Sequence, residues 1–387
     1  MSGKVEITHF QPWINGKPIP ASGGKTEELL SPWDGSHVST VEMADEATID
    51  AAIESARAAF VANRNVTPAQ RASWLRDTAD EVELVKGKIA DITMKALGKP
   101  KRACGFEAGR VSQLLRLCAE ELLRMEGEVL PLDALPMGAG RFGFTRHHPH
   151  GVIAAFTPFN APSNLLMQKV APAIAMGNAV VIKPAFEGVG EASLIAEAFT
   201  SAGVPDGLIN VVACRRDVTG YLVGHKDIAV VTLTGGTAAG EALAKAAGAK
   251  PFIGELGGNS ANIVCEDADI KDAATRIAPS AFEASGQQCI SAQRIIVEES
   301  VLDEFLKHFV AAAESMEVGD PTLDTTDVGP MVNAAAADRV EEMVNDALES
   351  GASAALPLKR DRAIIYPTIL VRPPSDARVV CEEIFGP

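Results

Sequence analysis

The chain is poor in several things, and each shortage narrows the reading. Lys and Arg number 35 against 51 Asp and Glu, a net charge of −16 over 387 residues. So acidic a protein is repelled by nucleic acid and by anionic membrane surfaces, so the expected partner is a small molecule or another protein. The six cysteines, at 104, 118, 214, 265, 289 and 381, are scattered with no CxxC pair. That excludes a zinc ribbon or a disulfide scaffold, points to a reducing compartment with the cytoplasm as default, and leaves no expectation of a metal. No run of about 18 uncharged apolar residues offers a membrane span. The polar start, Met1-Ser2-Gly3-Lys4-Val5-Glu6, has no basic region leading into an apolar one, so no signal peptide is read there. Internal repeats and low-complexity tracts are absent.

What is present suits a multidomain α/β protein. With 387 residues and 47% hydrophobic content, two or three domains are expected. Residues 1–43 carry the turn signals Asn15-Gly16 and Trp33-Asp34-Gly35 between short apolar runs, which predicts irregular strands at an edge. Ile49, Ile53, Ala56 and Phe60 recur at helical spacing, and Thr67-Pro68-Ala69-Gln70 is a capping box with proline at the first helical position. A further helix runs through Leu114, Leu115, Cys118 and Leu122 and ends near Gly127. The Pro- and Gly-rich stretch from Val129 to His148, with Arg141–Thr145 alternating, reads as a projecting hairpin. From Gly151 short apolar runs alternate with helix-length segments: Val152–Phe156, Ala179–Ile182, Ile209–Val212, Ile228–Leu233 and Phe252–Leu256. This is the pattern of a doubly wound parallel sheet. A second α/β series follows Gly257-Gly258, with strands Ala261–Cys265 and Ile295–Val297 and helices near 270–284 and 300–315.

Ligands of open parallel sheets bind at the carboxyl ends of the strands, so the residues just after each run carry the information. Gly235 and Gly236 sit between a strand and a helix beginning near Thr237, where small residues let a phosphate reach free backbone N–H groups. The fingerprint GxGxxG is missing, because Thr237 holds the third glycine's place, so this loop alone is equally well a tight turn. Lys183 ends an apolar strand and reads either as a snorkelling surface lysine or as a cation facing cofactor hydroxyls or phosphate. Cys289 follows Gly286-Gln287-Gln288 in a loop between a helix and a strand. The other five cysteines read as small buried hydrophobes, but a loop thiol is placed to attack a carbonyl carbon.

Glu255-Leu256-Gly257-Gly258-Asn259, followed 34 residues after Glu255 by Cys289 in Gly286-Gln287-Gln288-Cys289, closely resembles the paired signatures of the aldehyde dehydrogenase superfamily. Thr157-Pro158-Phe159-Asn160, Val181-Ile182-Lys183-Pro184, Thr234-Gly235-Gly236-Thr237 and Glu382–Pro387 match in the same order, and weaker similarity begins at Ile14-Asn15-Gly16. The resemblance implies oxidation of an aldehyde to a carboxylate with NAD or NADP. Cys289 would attack to give a thiohemiacetal and later a thioester. The Asn160 amide and the Cys289 N–H would form the oxyanion hole, and Glu255 would activate the hydrolytic water. Lys183, Gly235 and Gly236 would hold the adenosine and pyrophosphate end, Glu383 the nicotinamide ribose, and Phe385 would pack by the ring. Thr157, Pro158, Phe159, Leu256 and Gly257 would also line the cofactor. The implied domains are a nucleotide-binding unit over 1–126 and 149–257, an oligomerisation hairpin over 127–148 and a catalytic unit over 258–387. Homodimers or homotetramers are implied.

The sequence also departs from the family's pattern. NAD-preferring members usually carry a glutamate three residues after the lysine, where this chain has Phe186, followed by Glu187. NADP is therefore expected to be tolerated, unless a one-residue bulge brings Glu187 into place. Cys214-Arg215-Arg216 replaces the glycine-rich turn that often follows the third strand. The run Cys289-Ile290-Ser291-Ala292-Gln293-Arg294 is similar to the branch acting on small polar aldehydes such as lactaldehyde, glyceraldehyde or phosphonoformaldehyde. The chain stops at Gly386-Pro387, inside a motif, which leads us to expect a ragged sheet edge after about Ala261 and an over-open substrate funnel. A CoA-acylating dehydrogenase and a catalytically inactive scaffold are the competing readings. Glu255 speaks against the first, and intact Cys289, Glu255 and Asn160 against the second.

Overall fold

The computed structural model describes residues 8–387, so the polar start read above lies outside the described residues. Strands β1 (His9–Phe10), β2 (Trp13–Ile14), β3 (Lys17–Pro18), β4 (Thr26–Leu30) and β5 (His37–Glu42) open the fold, followed by helices α1 (Glu46–Asn63), α2 (Pro68–Leu97) and α3 (Lys101–Leu122). A hairpin of β6 (Val129–Leu130) and β7 (Gly143–Phe144) comes next. Only two residues of each arm pair, because two short 3-10 turns, Leu132–Ala134 and Pro136–Gly138, occupy the tip. Val129, Leu135, Met137, Phe142 and Phe144 stand exposed on it.

The alternating part begins with β8 (Val152–Phe156), α4 (Pro162–Ala175), β9 (Ala179–Lys183), α5 (Val189–Ser201), β10 (Ile209–Val211), α6 (Arg216–Gly224), β11 (Ile228–Thr234), α7 (Thr237–Ala247) and β12 (Phe252–Glu255). These five strands pair in parallel in the order β12-β11-β8-β9-β10, and β2 and β3 extend the sheet antiparallel beyond β10. The irregular N-terminal strands are therefore partly an edge of the main sheet, with Trp13 paired to Val211 and wholly buried. The others, β1, β5 and β4, form a separate three-stranded sheet. Every residue of β8 is buried, as parallel strands covered on both faces require. Helices α1, α6 and α7 cover one face of the sheet and α4 and α5 the other, with α2 and α3 packed outside α4 and α5. From β8 the chain winds outward in both directions, so the switch point lies where β8 meets β11.

The rest of the chain is built from β13 (Ala261–Val264), α8 (Ile270–Phe282), β14 (Arg294–Val297), α9 (Leu302–Glu314), α10 (Ala334–Glu349), β15 (Ser353–Leu356), β16 (Arg360–Asp361), β17 (Ile364–Ile365), β18 (Ile369–Val371) and α11 (Arg378–Cys381). Here β13 and β14 form a two-stranded parallel sheet, and β15 pairs with β18. An apolar cleft of about 480 Å³ separates β14 from β18. Phe282, Phe305 and Phe309 stack beneath it, with ring centroids 5.6 and 5.2 Å apart. This second core is separate from the one around the seven-stranded sheet.

Two N-caps show how sequence sets element boundaries. Thr67 Oγ1 accepts from Gln70 N–H, with Pro68 next to it, as the capping box predicts. Asp45 caps α1 by accepting from Thr48 N–H and Oγ, and from Ser22 Oγ. These bonds, that from Ser22 first, pull its carboxyl down to about 2. A carboxyl held below its unfolded value stabilises the fold above about pH 4 and loses that contribution as pH falls towards 2. Asp45→Ala is therefore expected to cost about 1 kcal/mol at pH 7 and Asp45→Asn much less. Urea denaturation midpoints at pH 7 and pH 3 check both the size and its shrinkage in acid.

Candidate active site

The sheet register gathers the predicted residues at one end. Phe156 pairs with Lys183, and Thr157 N–H donates to the Lys183 carbonyl at 3.2 Å. Leu233 pairs with both Phe156 and Gly254, and Thr234 pairs with Glu255. Gly235 N–H donates to the Glu255 carbonyl at 3.0 Å. Thr157, Lys183, Gly235 and Glu255 thus share the carboxyl edge around the switch point, where such sheets bind ligands.

The segment after Glu255 joins this edge to the second half of the chain. A Cβ on Gly258 would lie 3.6 Å from the Cys289 carbonyl. Gly258 N–H donates to Glu383 Oε1 at 3.2 Å. A Cβ on Gly257 would come within 2.7 Å of Glu383 Oε2 and 3.1 Å of Thr237 Oγ1. Phe385 meets Phe159 edge to face, centroids 5.9 Å apart. The 382–387 segment is tied down by Asn259 Nδ2, which donates to the Val380 and Glu382 carbonyls, and by Gln293 Oε1, which accepts from Ile384 N–H at 2.8 Å. Leu256 lies over Gly240 of α7, where a Cβ would be 2.4 Å away. The loops carrying Thr157–Asn160, Glu255–Asn259, Cys289 and Glu383–Phe385 therefore converge.

Cys289 is exposed, in a turn beyond α8. Three successive residues before it, Ala284, Ser285 and Gly286, have φ of 50°, 60° and 63°. For two non-glycine residues this is strain, which persists only where the surroundings enforce it. The enforcing bonds run from Ser285 Oγ to the Gly329 and Pro330 carbonyls, and from Val332 N–H to Gln287 Oε1. The fate of the other cysteines is mixed. Cys104 and Cys214 are buried as expected, and burial pushes the Cys104 thiol up to about 12, whereas Cys265 and Cys381 are exposed.

Several residues near this edge carry no motif. Lys169 of α4 is buried and donates to Thr232 Oγ1 at 3.0 Å. Burial pulls it down to about 8, and the carboxylate of Glu255 opposes that shift. An apolar spacing hides such a lysine; its one sequence signal is a charge within Leu165–Ile174, apolar but for it and the neighbouring Gln168. Lys99 and Glu107 form a buried ion pair of 2.6 Å beside Asn160, whose carbonyl accepts from Lys99 Nζ at 3.0 Å. Lys183 is held below the ordinary lysine range by burial, with Cys214 and Glu187 opposing and Arg216 reinforcing that shift. Gln293 and Arg294, part of the run that resembles one branch of the family, are engaged in holding Ile384 N–H and the Asn259 carbonyl.

The arrangement fits a dinucleotide. Thr157 Oγ1 is buried with no hydrogen-bond partner, and the N-cap of α7 is Gly236, which has no side chain to cap the helix. Gly257 leaves room that Glu383 and Thr237 border. The apolar cleft by β14 is a different place, since none of Cys289, Glu255 and Asn160 lines it. Among the described residues no cluster of His, Cys, Asp and Glu fit to hold a metal occurs, and no helix is long and apolar enough to cross a membrane.

Comparison with known proteins agrees with this geometry. Residues 19–387 match the model of the aldehyde dehydrogenase family. An aldehyde-dehydrogenase-like protein of Sinorhizobium fredii is 38% identical over 92% of this chain and 70% of its own. The 3-sulfolactaldehyde dehydrogenase of Priestia aryabhattai is 34% identical over all of this chain and 80% of its own. Among solved structures, the NADP-dependent glyceraldehyde-3-phosphate dehydrogenase of Bacillus halodurans, complexed with NADP, superposes with a TM-score of 0.95 at 33% identity, covering 98% of this chain and 80% of that one. A thiol turn, a glutamate-bearing strand end and a dinucleotide-shaped edge, set in this fold and matched over nearly the whole chain, show that it belongs to the aldehyde dehydrogenase family, as an NAD(P)-dependent enzyme that oxidises an aldehyde to its acid.

Proposed function

We propose that the substrate is a small polar aldehyde, with Cys289 as nucleophile, Asn160 as oxyanion donor and Glu255 as the base that activates water. The convergence of the Cys289 turn with Gly258 and the Glu255 strand end carries this reading. An exposed loop thiol can reach a carbonyl carbon and form the thiohemiacetal. The Asn160 amide and the Cys289 N–H then meet the oxygen on which charge develops. NAD(P), when bound, supplies the hydride acceptor. Lys183, Thr157 and the α7 N-terminus would hold its adenosine and pyrophosphate end, while Glu383, fixed by Gly258 N–H, would take the ribose and Phe385, against Phe159, the ring. Pro158, Leu256, Gly235, Gly236 and Gly257 would shape the walls. The names of the relatives support a short polar aldehyde, since one acts on 3-sulfolactaldehyde and another on glyceraldehyde 3-phosphate. The division into a nucleotide unit (1–126 and 149–257), a catalytic unit (258–387) and an oligomerisation hairpin (127–148) belongs to the same reading. The exposed Phe142 and Phe144 of the hairpin support its docking on a second copy in a dimer or tetramer.

Two substitutions separate the steps. Cys289→Ala is expected to abolish turnover while nucleotide binding stays within about twofold, because no cofactor contact is removed. Glu255→Gln should leave a burst of NAD(P)H followed by a phase at least about a hundredfold slower, with the acyl-enzyme visible by mass spectrometry. Stopped-flow absorbance reads both. Loss of the burst in Glu255→Gln would assign Glu255 to activating Cys289 instead, and unimpaired turnover accelerated by CoA would favour acyl transfer to that thiol.

For the cofactor, we infer that NADP is accepted at least comparably to NAD. Phe186 stands where a ribose-binding carboxylate is usual. Glu187 lies beside Lys183 but is pushed by burial towards its neutral form, and Arg216 adds a second cation there. A 2′-phosphate would meet two basic side chains, Lys183 and Arg216, against one carboxyl, Glu187. Arg216→Ala is expected to weaken NADP binding about tenfold, about 1.4 kcal/mol, and NAD binding much less. A fluorescence titration showing a hundredfold preference for NAD in the unaltered protein would instead place Glu187 on the ribose.

A further inference from the structure

Asn160 and Cys289 come from different cores, yet an oxyanion hole needs both donors aimed at one oxygen. Their supports meet at a single point, the end of α2. This helix stops at Gly98, whose φ of 64° gives it the left-handed turn that glycine adopts without penalty. The next residue, Lys99, reaches one way. Its ammonium donates to the Asn160 carbonyl at 3.0 Å and to Glu107 Oε2 at 2.6 Å, with side chains only 12% and 5% exposed. Glu107 Oε1 in turn accepts from Ser163 N–H at 2.9 Å, Ser163 Oγ at 2.8 Å and Asn164 N–H at 3.2 Å. Helix α4 lacks a side-chain cap of its own, because its N-cap is Ala161 and its first residue Pro162. Glu107 of α3 therefore caps α4 from outside, with its negative charge at the positive end of the helix. The chain from Asn160 to Asn164 is thus gripped at a carbonyl and at two N–H groups by one ion pair.

Gly98 faces the other way. A Cβ there would come within 2.2 Å of Pro330 Cγ, and a Cβ on Gly329 within 2.2 Å of the Gly98 carbonyl. Gly329 and Pro330 are the two residues whose carbonyls accept from Ser285 Oγ, at 2.8 and 3.2 Å, and Ser285 lies four residues before Cys289. Ser285 is 2% exposed and left-handed, so this grip holds the strained turn.

We propose that Lys99, Glu107 and Ser285 are positioning residues that register Asn160 against Cys289, with Gly98 packed on Gly329–Pro330 as the shared reference. None of the three touches substrate. Lys99 and Glu107 act through Asn160, and Ser285 acts through the Cys289 turn. The inference rests on Asn160 being the oxyanion donor, so the experiment tests that first.

Lys99→Met combined with Glu107→Gln removes both charges without leaving either buried alone. It is compared with Asn160→Ala and with the triple variant, by the single-turnover rate of NAD(P)H formation at saturating aldehyde. Asn160→Ala should slow the burst about a hundredfold, the effect of losing one oxyanion donor. The Lys99/Glu107 variant should slow it at least tenfold while the dissociation constant for NAD(P) changes less than twofold. On the Asn160→Ala background the same pair should slow it less than twofold further, because its effect passes through a group already removed. A merely structural role would cost the same factor on both backgrounds, and that additivity, or an unchanged burst in the Lys99/Glu107 variant, overturns the proposal. If Asn160→Ala itself leaves the burst intact, the oxyanion assignment fails and the positioning role fails with it, whereas a slowed Asn160→Ala burst beside additive costs isolates the failure here. Ser285→Ala gives an independent arm should the paired variant not fold. It is expected to slow the burst at least tenfold with unchanged NAD(P) binding, and an undiminished burst there likewise overturns the proposal.

Discussion

The register of the parallel sheet is the constraint on which the rest depends. Phe156 pairs with Lys183 and Leu233, and Thr234 with Glu255, so four strands end within one row of each other. Side-chain direction alternates along a strand, and a slip of one residue in any of these pairings would turn Lys183 or Glu255 to the opposite face. The register is itself held by burial. Every residue of β8 and four of the five in β9 are out of water, and a slip would trade apolar contacts on both faces at once. The chemistry at the edge is thus specified by side chains that take no part in it.

The second half of the chain has a different problem, which is to bring a thiol from its own core to that edge. It does so through strain and through polar grips rather than through a continuous sheet. Ala284 and Ser285 sit in left-handed conformations that their side chains disfavour. Gly286 shares that sign of φ, and a Cβ on it would strike the Gly386 carbonyl at 2.2 Å. The thiol turn and the Glu383–Phe385 segment are therefore packed backbone to backbone. Arg339 of α10 holds that segment from the other side by donating to the Glu383 and Ile384 carbonyls.

Much of this was legible in the residues, and the division follows a physical line. The five parallel strands, the helix starts at Thr67 and near Thr237, the strand ends bearing Lys183 and Glu255, and the loops bearing Asn160 and Cys289 all rest on local signals: apolar runs, caps and glycines beside a reactive side chain. Strands of two residues, such as Trp13–Ile14, give no period to read, so an edge could be expected for residues 1–43 but not the strand, β10, that Trp13 pairs with. Lys99, Glu107, Lys169 and Arg216 look like ordinary charges on helices or at their ends. Their meaning comes from tertiary neighbours far away in sequence, as with Lys99 and Asn160, 61 residues apart. Gln293 and Arg294 show the converse. They stand in a run that resembles one branch of the family, but they hold backbone groups of Ile384 and Asn259.

This contrast bears on where specificity resides. A side chain already committed to two backbone partners cannot turn to greet a substrate without releasing them, and a released buried acceptor costs roughly 1–3 kcal/mol. Asn259, whose amide donates to the Val380 and Glu382 carbonyls, is in that position. Ile290, by contrast, is 82% exposed and adjoins the thiol, and Gln288 is bound only to the Glu283 carbonyl. Substitutions at Ile290 and Gln288 therefore leave the supports of the site in place. Changes at the committed polar residues act first on geometry, and only through geometry on choice of substrate.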